Sequence, residues 1–108
     1  MAFLYMIERE GRKVSVVATG EMDIAAAWPF GNMLCELAES EPTELIEVDL
    51  GDLIFIDSTG TAALKRAHRT VARQGCTLVL TNATGLVLRV LELTGTLAHL
   101  APRADAGA

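Results

Sequence analysis

Cysteine, histidine and aromatic side chains are scarce in this chain, and it carries no basic excess. Its 108 residues include 2 Cys, 2 His, 1 Trp, 1 Tyr and 3 Phe. Cys35 and Cys76 stand alone, with no Cys-x-x-Cys pair and no histidine at ligand spacing, so no metal site is expected. Two reduced, buried thiols in a cytosolic protein are preferred to a disulfide. The formal net charge of −5 argues against direct nucleic-acid binding, which would need a concentrated basic patch working against the field. Unbroken apolar runs fall far short of the roughly 20 residues of a membrane span. Met1-Ala2-Phe3-Leu4-Tyr5 lacks the basic start and cleavage pattern of an export signal, so the cytoplasm is the expected location. No cofactor is expected, and no nucleotide-binding motif stands in the chain: a phosphate-cradling loop ending in Gly-Lys-Ser/Thr is missing, which leaves nucleotide binding open.

What the chain does contain is aliphatic. Apolar residues make up 51% of it, mostly Ala, Leu, Val and Ile, enough for one core and suited to helices packed on a sheet. Phe3 to Glu8 and Lys13 to Thr19 are β-rich runs around Glu10-Gly11-Arg12 and predict a hairpin, with Gly20-Glu21-Met22-Asp23 closing the second strand. Pro29 and Gly31 place the start of the first helix near Ala27 or Trp28, because proline is tolerated in a first turn. That helix runs to about Glu39 with Phe30, Met33, Leu34 and Leu37 as its buried stripe. Leu45 to Leu50 alternates as a strand. Leu53-Ile54-Phe55-Ile56 is an apolar run ending at Asp57-Ser58-Thr59-Gly60, and a helix follows to Gln74-Gly75. Cys76 to Thr81 is a strand, and Asn82-Ala83-Thr84 caps a third helix through Leu93.

This order predicts an α/β domain over residues 1–101, with a frayed tail over 102–108. The hairpin supplies an antiparallel edge to a mostly parallel sheet, and helices form right-handed crossovers. The corners after the second strand and after Ile56 then share one end of the molecule. Asp23 and Ser58 should meet there. Ser58 is the expected cap of the second helix, both held in place and reachable from outside.

Four landmarks in order carry a resemblance: Gly20-Glu21-Met22-Asp23, Val48-Asp49-Leu50, Phe55-Ile56-Asp57-Ser58-Thr59-Gly60 and Leu91-Glu92-Leu93-Thr94-Gly95. Each is weak alone, but together the chain resembles the STAS domain, and within it the small bacterial anti-sigma factor antagonists. The resemblance implies a mixed sheet with helices winding along it. It implies binding to an anti-sigma factor that is also a serine kinase, which frees a sigma factor for transcription. Phosphorylation of the matching serine, Ser58, would end that complex, and a PP2C-type phosphatase would restore it. Asp23, Asp57, Ser58, Thr59 and Gly60 would form the partner-binding corner, with Thr59 a second-choice phosphate acceptor. The chain departs from the family at Thr61, where an apolar residue is usual, and at Pro29 and Gly31 in a helix that is usually smoother.

Plainer readings stand beside these roles. Asp23 is a cap or a partner contact, Asp57 shapes the serine loop, and Asp49 orders a strand end. Gly60 lets a partner backbone approach closely or is simply tolerated in a first helical turn. Lys65, Arg66, Arg69 and Arg73 read as the solvated side of an amphipathic helix, and Leu88 as an ordinary exposed leucine. An enzyme is not expected. Ser58 and His68 lie ten positions apart on one helix, roughly 15 Å by helical rise, and nothing locates His99 near the serine. The alternative is a STAS adaptor or structural subunit of a signalling assembly or membrane-transporter complex, indifferent to phosphorylation.

Overall fold

The computed structural model describes residues 2–100, and the tail expected over 102–108 lies outside them. Strand β1 (Leu4–Glu10) and strand β2 (Lys13–Met22) form the hairpin, with Glu10 opposite Lys13. Gly11 occupies the first loop position at φ +63°, the conformation that a two-residue turn of type II′ requires there. Helix α1 (Ile24–Ser40), strand β3 (Leu45–Ile56), helix α2 (Ser58–Ala72), strand β4 (Thr77–Thr81), and helices α3 (Gly85–Leu93) and α4 (Thr96–Leu100) follow. The sheet order is β1-β2-β3-β4, antiparallel at the hairpin and parallel across β2–β3 and β3–β4.

One sheet face makes the core. Val14, Val16 and Ala18 of β2, Ile46, Val48 and Leu50 of β3, and Leu78 and Leu80 of β4 are buried beneath the helices. Those helices contribute Ala27, Phe30 and Leu34 from α1, Ala63, Leu64, Ala67 and Val71 from α2, and Val87 and Leu91 from α3. The alternate residues Ser15, Val17, Glu47, Asp49, Val79 and Thr81 are only half-buried on the bare face. This is the period-2 pattern of a sheet covered on one side.

Several expectations change. α1 starts at Ile24, not at Ala27 or Trp28, so Pro29 falls inside the helix, where it withholds the amide that would bond Ala25. The helix persists because the Asp23 carboxylate accepts from the amides of Ala25 and Ala26 at 3.0 and 3.2 Å, and because its inner face is buried. That face uses Ala27 and Gly31 beside Phe30 and Leu34, whereas Met33 and Leu37 are half-buried. Gly31 is explained by contact: a Cβ there would lie 3.3 Å from the Ala63 carbonyl oxygen, where α1 and α2 meet.

β3 is also longer than expected, a single strand through Ile56. Its register against β2 shifts between Val17 and Thr19, and again between Gly20 and Glu21, each time adding one residue on β3. Such insertions break the alternation by which a strand is read from sequence. Asp49 holds the first of them, accepting from the Gly51 amide at 2.8 Å. Thr84 precedes α3 but makes no side-chain cap bond. Helix α4 was not anticipated. Cys76 is buried and Cys35 half-buried, and both are free thiols.

Candidate functional site

β2 and β3 run parallel and end in register, Met22 beside Ile56, so the next residues, Asp23 and Asp57, leave the sheet side by side. Each caps the helix that follows. The expected meeting of Asp23 with the Ser58 corner therefore occurs, and it follows directly from the parallel pairing.

The cap of α2 is Asp57, not Ser58. Asp57 is extended at φ −114° and ψ −172°, and its carboxylate accepts from the Gly60 amide at 3.0 Å. Its carbonyl accepts from the Thr61 amide at 3.1 Å, the first bond of the helix. A carboxylate one residue ahead of the serine reaches the third helical amide, so Ser58 takes the first helical position with its hydroxyl unused. Ser58 is exposed. Among the described residues no group hydrogen-bonds its Oγ.

Thr59 differs. Its hydroxyl donates to the same Asp57 oxygen that receives the Gly60 amide. That bond, aided by the Gly60 and Thr59 amides, holds the Asp57 carboxyl below its ordinary pKa, against the opposing pull of partial burial. Of two adjacent hydroxyls, one is tied to a carboxylate and the other is free.

Gly60 is buried and faces inward. A Cβ there would stand 2.6 Å from Ile56 Cγ1 and 3.2 Å from the Met22 carbonyl oxygen. The glycine lets the first turn of α2 sit on the ends of its own strands, so it is required there by packing and not merely tolerated. Thr61, also buried, has its hydroxyl satisfied by the Ser58 carbonyl at 3.0 Å, so a polar residue fits where an apolar one is usual.

The basic row on α2 is not a free stripe. Lys65 donates to the Thr94 carbonyl at 2.7 Å and pins the end of α3. Arg66 reaches Asn32 at 3.2 Å and lies over the Trp28 ring, 5.6 Å from its centroid. The sequence reading missed the apolar residues at the corner's end of the molecule. Ile24, the first residue of α1, is 68% exposed, and Ile54, two residues before the end of β3, is 55% exposed. The only signal for Ile24 was its place directly after a capping aspartate. Among the described residues, no three His, Cys, Asp or Glu side chains group as metal ligands, and no helix is long and apolar enough to cross a membrane.

The site is thus a one-sided α/β sheet with two capped helices starting side by side, next to a serine hydroxyl that no described group bonds. The family model described as "Mlab, STAS domain" matches residues 5–101, and the chain belongs to the STAS domain family. The anti-sigma-B factor antagonist of Bacillus subtilis (strain 168) is 27% identical over 89 residues, covering 82% of this chain and 80% of that protein. The fold is similar to that of the anti-sigma factor antagonist SpoIIAA in its unphosphorylated form, with TM-score 0.79, 18% identity, and 96% and 92% of the two chains covered. It is also similar to the Bacillus cell fate determinant SpoIIAA in the phosphorylated form, with TM-score 0.67, 20% identity and 96% of each chain covered.

Proposed function

We propose that this protein is a cytoplasmic anti-sigma factor antagonist. It binds an anti-sigma factor serine kinase through the corner of Asp23, Asp57, Ser58 and Thr59, with Gly60 setting the corner's shape, and it is not itself an enzyme. Phosphorylation of Ser58 ends that complex, and a PP2C-type phosphatase restores it. The observation that carries this reading is the exposed Ser58 hydroxyl, unbonded among the described residues, beside the Thr59 hydroxyl already committed to Asp57. A kinase can take the first without breaking a bond of the fold, and the second only by breaking one.

The charge change supplies the switch. A phosphate adds about −1.5 to −2 charges at neutral pH. A helix start tolerates an added anion, so α2 stays formed. The partner's docking surface, fitted to a neutral hydroxyl, meets added bulk and a dianion next to the ionised Asp57. A loss of about 3 kcal/mol or more there is at least two decades of affinity, since ~1.4 kcal/mol is tenfold.

The test is intact mass and site mapping after incubation with candidate anti-sigma kinases and ATP, together with binding by Ser58→Ala and Ser58→Asp. One added phosphate on Ser58, retained binding by Ser58→Ala and at least a hundredfold loss in Ser58→Asp are expected. Binding to a transporter ATPase that ignores both substitutions would make the chain an adaptor subunit instead.

A further inference from the structure

β1 ends the sheet, and its outer edge has no strand beside it among the described residues. Such edges are usually blunted by charge. Here the charged residues Glu8, Arg9 and Glu10 occupy only the second half of the strand, and Arg9 is drawn inward to Thr43 at 2.9 Å and Glu41 at 3.2 Å. The first half is Leu4, Tyr5, Met6 and Ile7, exposed at 65, 42, 76 and 44%. Four consecutive exposed apolar residues on an open edge are a template for another strand. We propose that this edge is the seam of a homodimer, with β1 of one copy pairing antiparallel to β1 of a second across a two-fold axis at Tyr5.

The register follows from the hairpin. Glu10 and Lys13 flank a two-residue turn and so form a hydrogen-bonded pair. Bonding then alternates along β1: Leu4, Met6, Glu8 and Glu10 use their backbone groups on β2, while Phe3, Tyr5, Ile7 and Arg9 turn theirs outward. A two-fold antiparallel pair can be centred on any residue of the strand, with the central pair hydrogen-bonded at an outward residue and non-hydrogen-bonded at an inward one. Centred on Arg9 it sets arginine against arginine and Glu8 against Glu10. Centred on Ile7 it sets Met6 against Glu8 and Leu4 against Glu10. Centred on Tyr5 it sets Phe3 against Ile7, Leu4 against Met6 and Tyr5 against itself, with Glu8 opposite Ala2. Centred on Met6 it sets Leu4 against Glu8 and Phe3 against Arg9, and centred on Leu4 it carries Ile7 past Ala2, beyond the described residues. Only the Tyr5 alignment sets each of Leu4, Tyr5, Met6 and Ile7 against an apolar residue within the described residues, and it brings no like charges together.

Both sides of the edge have room for these side chains. On the helix side a cavity of about 360 Å³ opens against Phe3, Tyr5, Pro29 and Phe30, where the partner's Tyr5 and Ile7 arrive. On the bare side a hollow of about 210 Å³ lies along Met6, Ser15 and Val17, where the partner's Leu4 and Met6 arrive. The seam is short, at the small end of specific interfaces, so a dissociation constant on the order of 1–100 μM is expected. A foreign peptide could pair with the same edge, but it is the chain's own sequence that matches residue for residue.

Sedimentation of the full chain from about 1 μM to 1 mM should show a rise from monomer to dimer mass. Met6→Glu, on an exposed side chain, should weaken the dimer at least tenfold with unchanged melting. Leu93→Glu, 79% exposed on α3, should leave it intact. Leu4 and Met6 of opposite copies form the close, non-hydrogen-bonded pair, whose Cα separation suits a disulfide. A Leu4→Cys/Met6→Cys double variant should therefore oxidise to a covalent dimer whose bridges map between positions 4 and 6. A monomer at every concentration, a dimer indifferent to Met6→Glu, or bridges joining like positions would each overturn the proposal.

Discussion

Asp57 and Ser58 are neighbours with opposite structural weights. The carboxylate caps α2 and orients Thr59, whereas the serine hydroxyl holds nothing among the described residues. Asp57→Ala should lower unfolding stability by about 1 kcal/mol, the usual cost of a lost cap. Ser58→Ala should stay within about 0.5 kcal/mol, as surface changes do. Urea titration of both variants checks the contrast, and equal losses would return the cap to the serine. The same carboxylate gives a pH signature. Its folded-state pKa lies below the unfolded value of about 3.9, so its contribution is complete above about pH 4 and disappears as pH falls through the folded value. Asp57→Asn should therefore show a shallower fall in melting temperature than wild type between about pH 4 and pH 2, as scanning calorimetry can read.

At the level of elements, α1 carries a flaw that its surroundings tolerate. Pro29 lies five residues past the first helical position, exposed, where it removes a bond to Ala25 and crowds the preceding turn. Pro29→Ala should raise stability by about 1–3 kcal/mol, measured by denaturant unfolding. The same proline displaced the expected start of α1, because local preference puts proline in a first turn while the Asp23 cap and the buried face of α1 put the start at Ile24. β3 teaches a similar lesson. Leu45 to Leu50 was legible as a strand, but the continuation to Ile56 was not, because two added residues in the pairing with β2 shift which side chains face the core.

For the whole molecule, the hairpin is fastened to the helical layer by aromatic contact. Phe30 of α1 meets Phe3 at 5.1 Å and Tyr5 at 5.5 Å between ring centroids, both edge-on. Thr43 adds a polar clasp, receiving Arg9 from β1 and donating to the Leu37 carbonyl at the end of α1. Phe30→Ala should cost about 3–5 kcal/mol, with amide exchange rising first in β1, since the ring is the main apolar link between the two layers at that edge. Uniform loss of protection across β1 to β4 would show instead that the sheet responds as one unit. With one sheet face buried and the other bare, the serine corner lies at one end of the sheet and the β1 edge at its side.

The order of strands and helices, the antiparallel hairpin, and the meeting of Asp23 with the serine corner were all legible in the chain, because alternation, turn glycine and chain order act locally or through simple topology. Only the folded molecule decided that Asp57 rather than Ser58 caps α2, that Thr59 is occupied while Ser58 is free, and that Gly60 answers to Ile56 and Met22. Each of these depends on which of several adjacent groups reaches a donor or a packed neighbour first. That choice is made by distances across the fold, which neighbouring positions along a sequence do not encode.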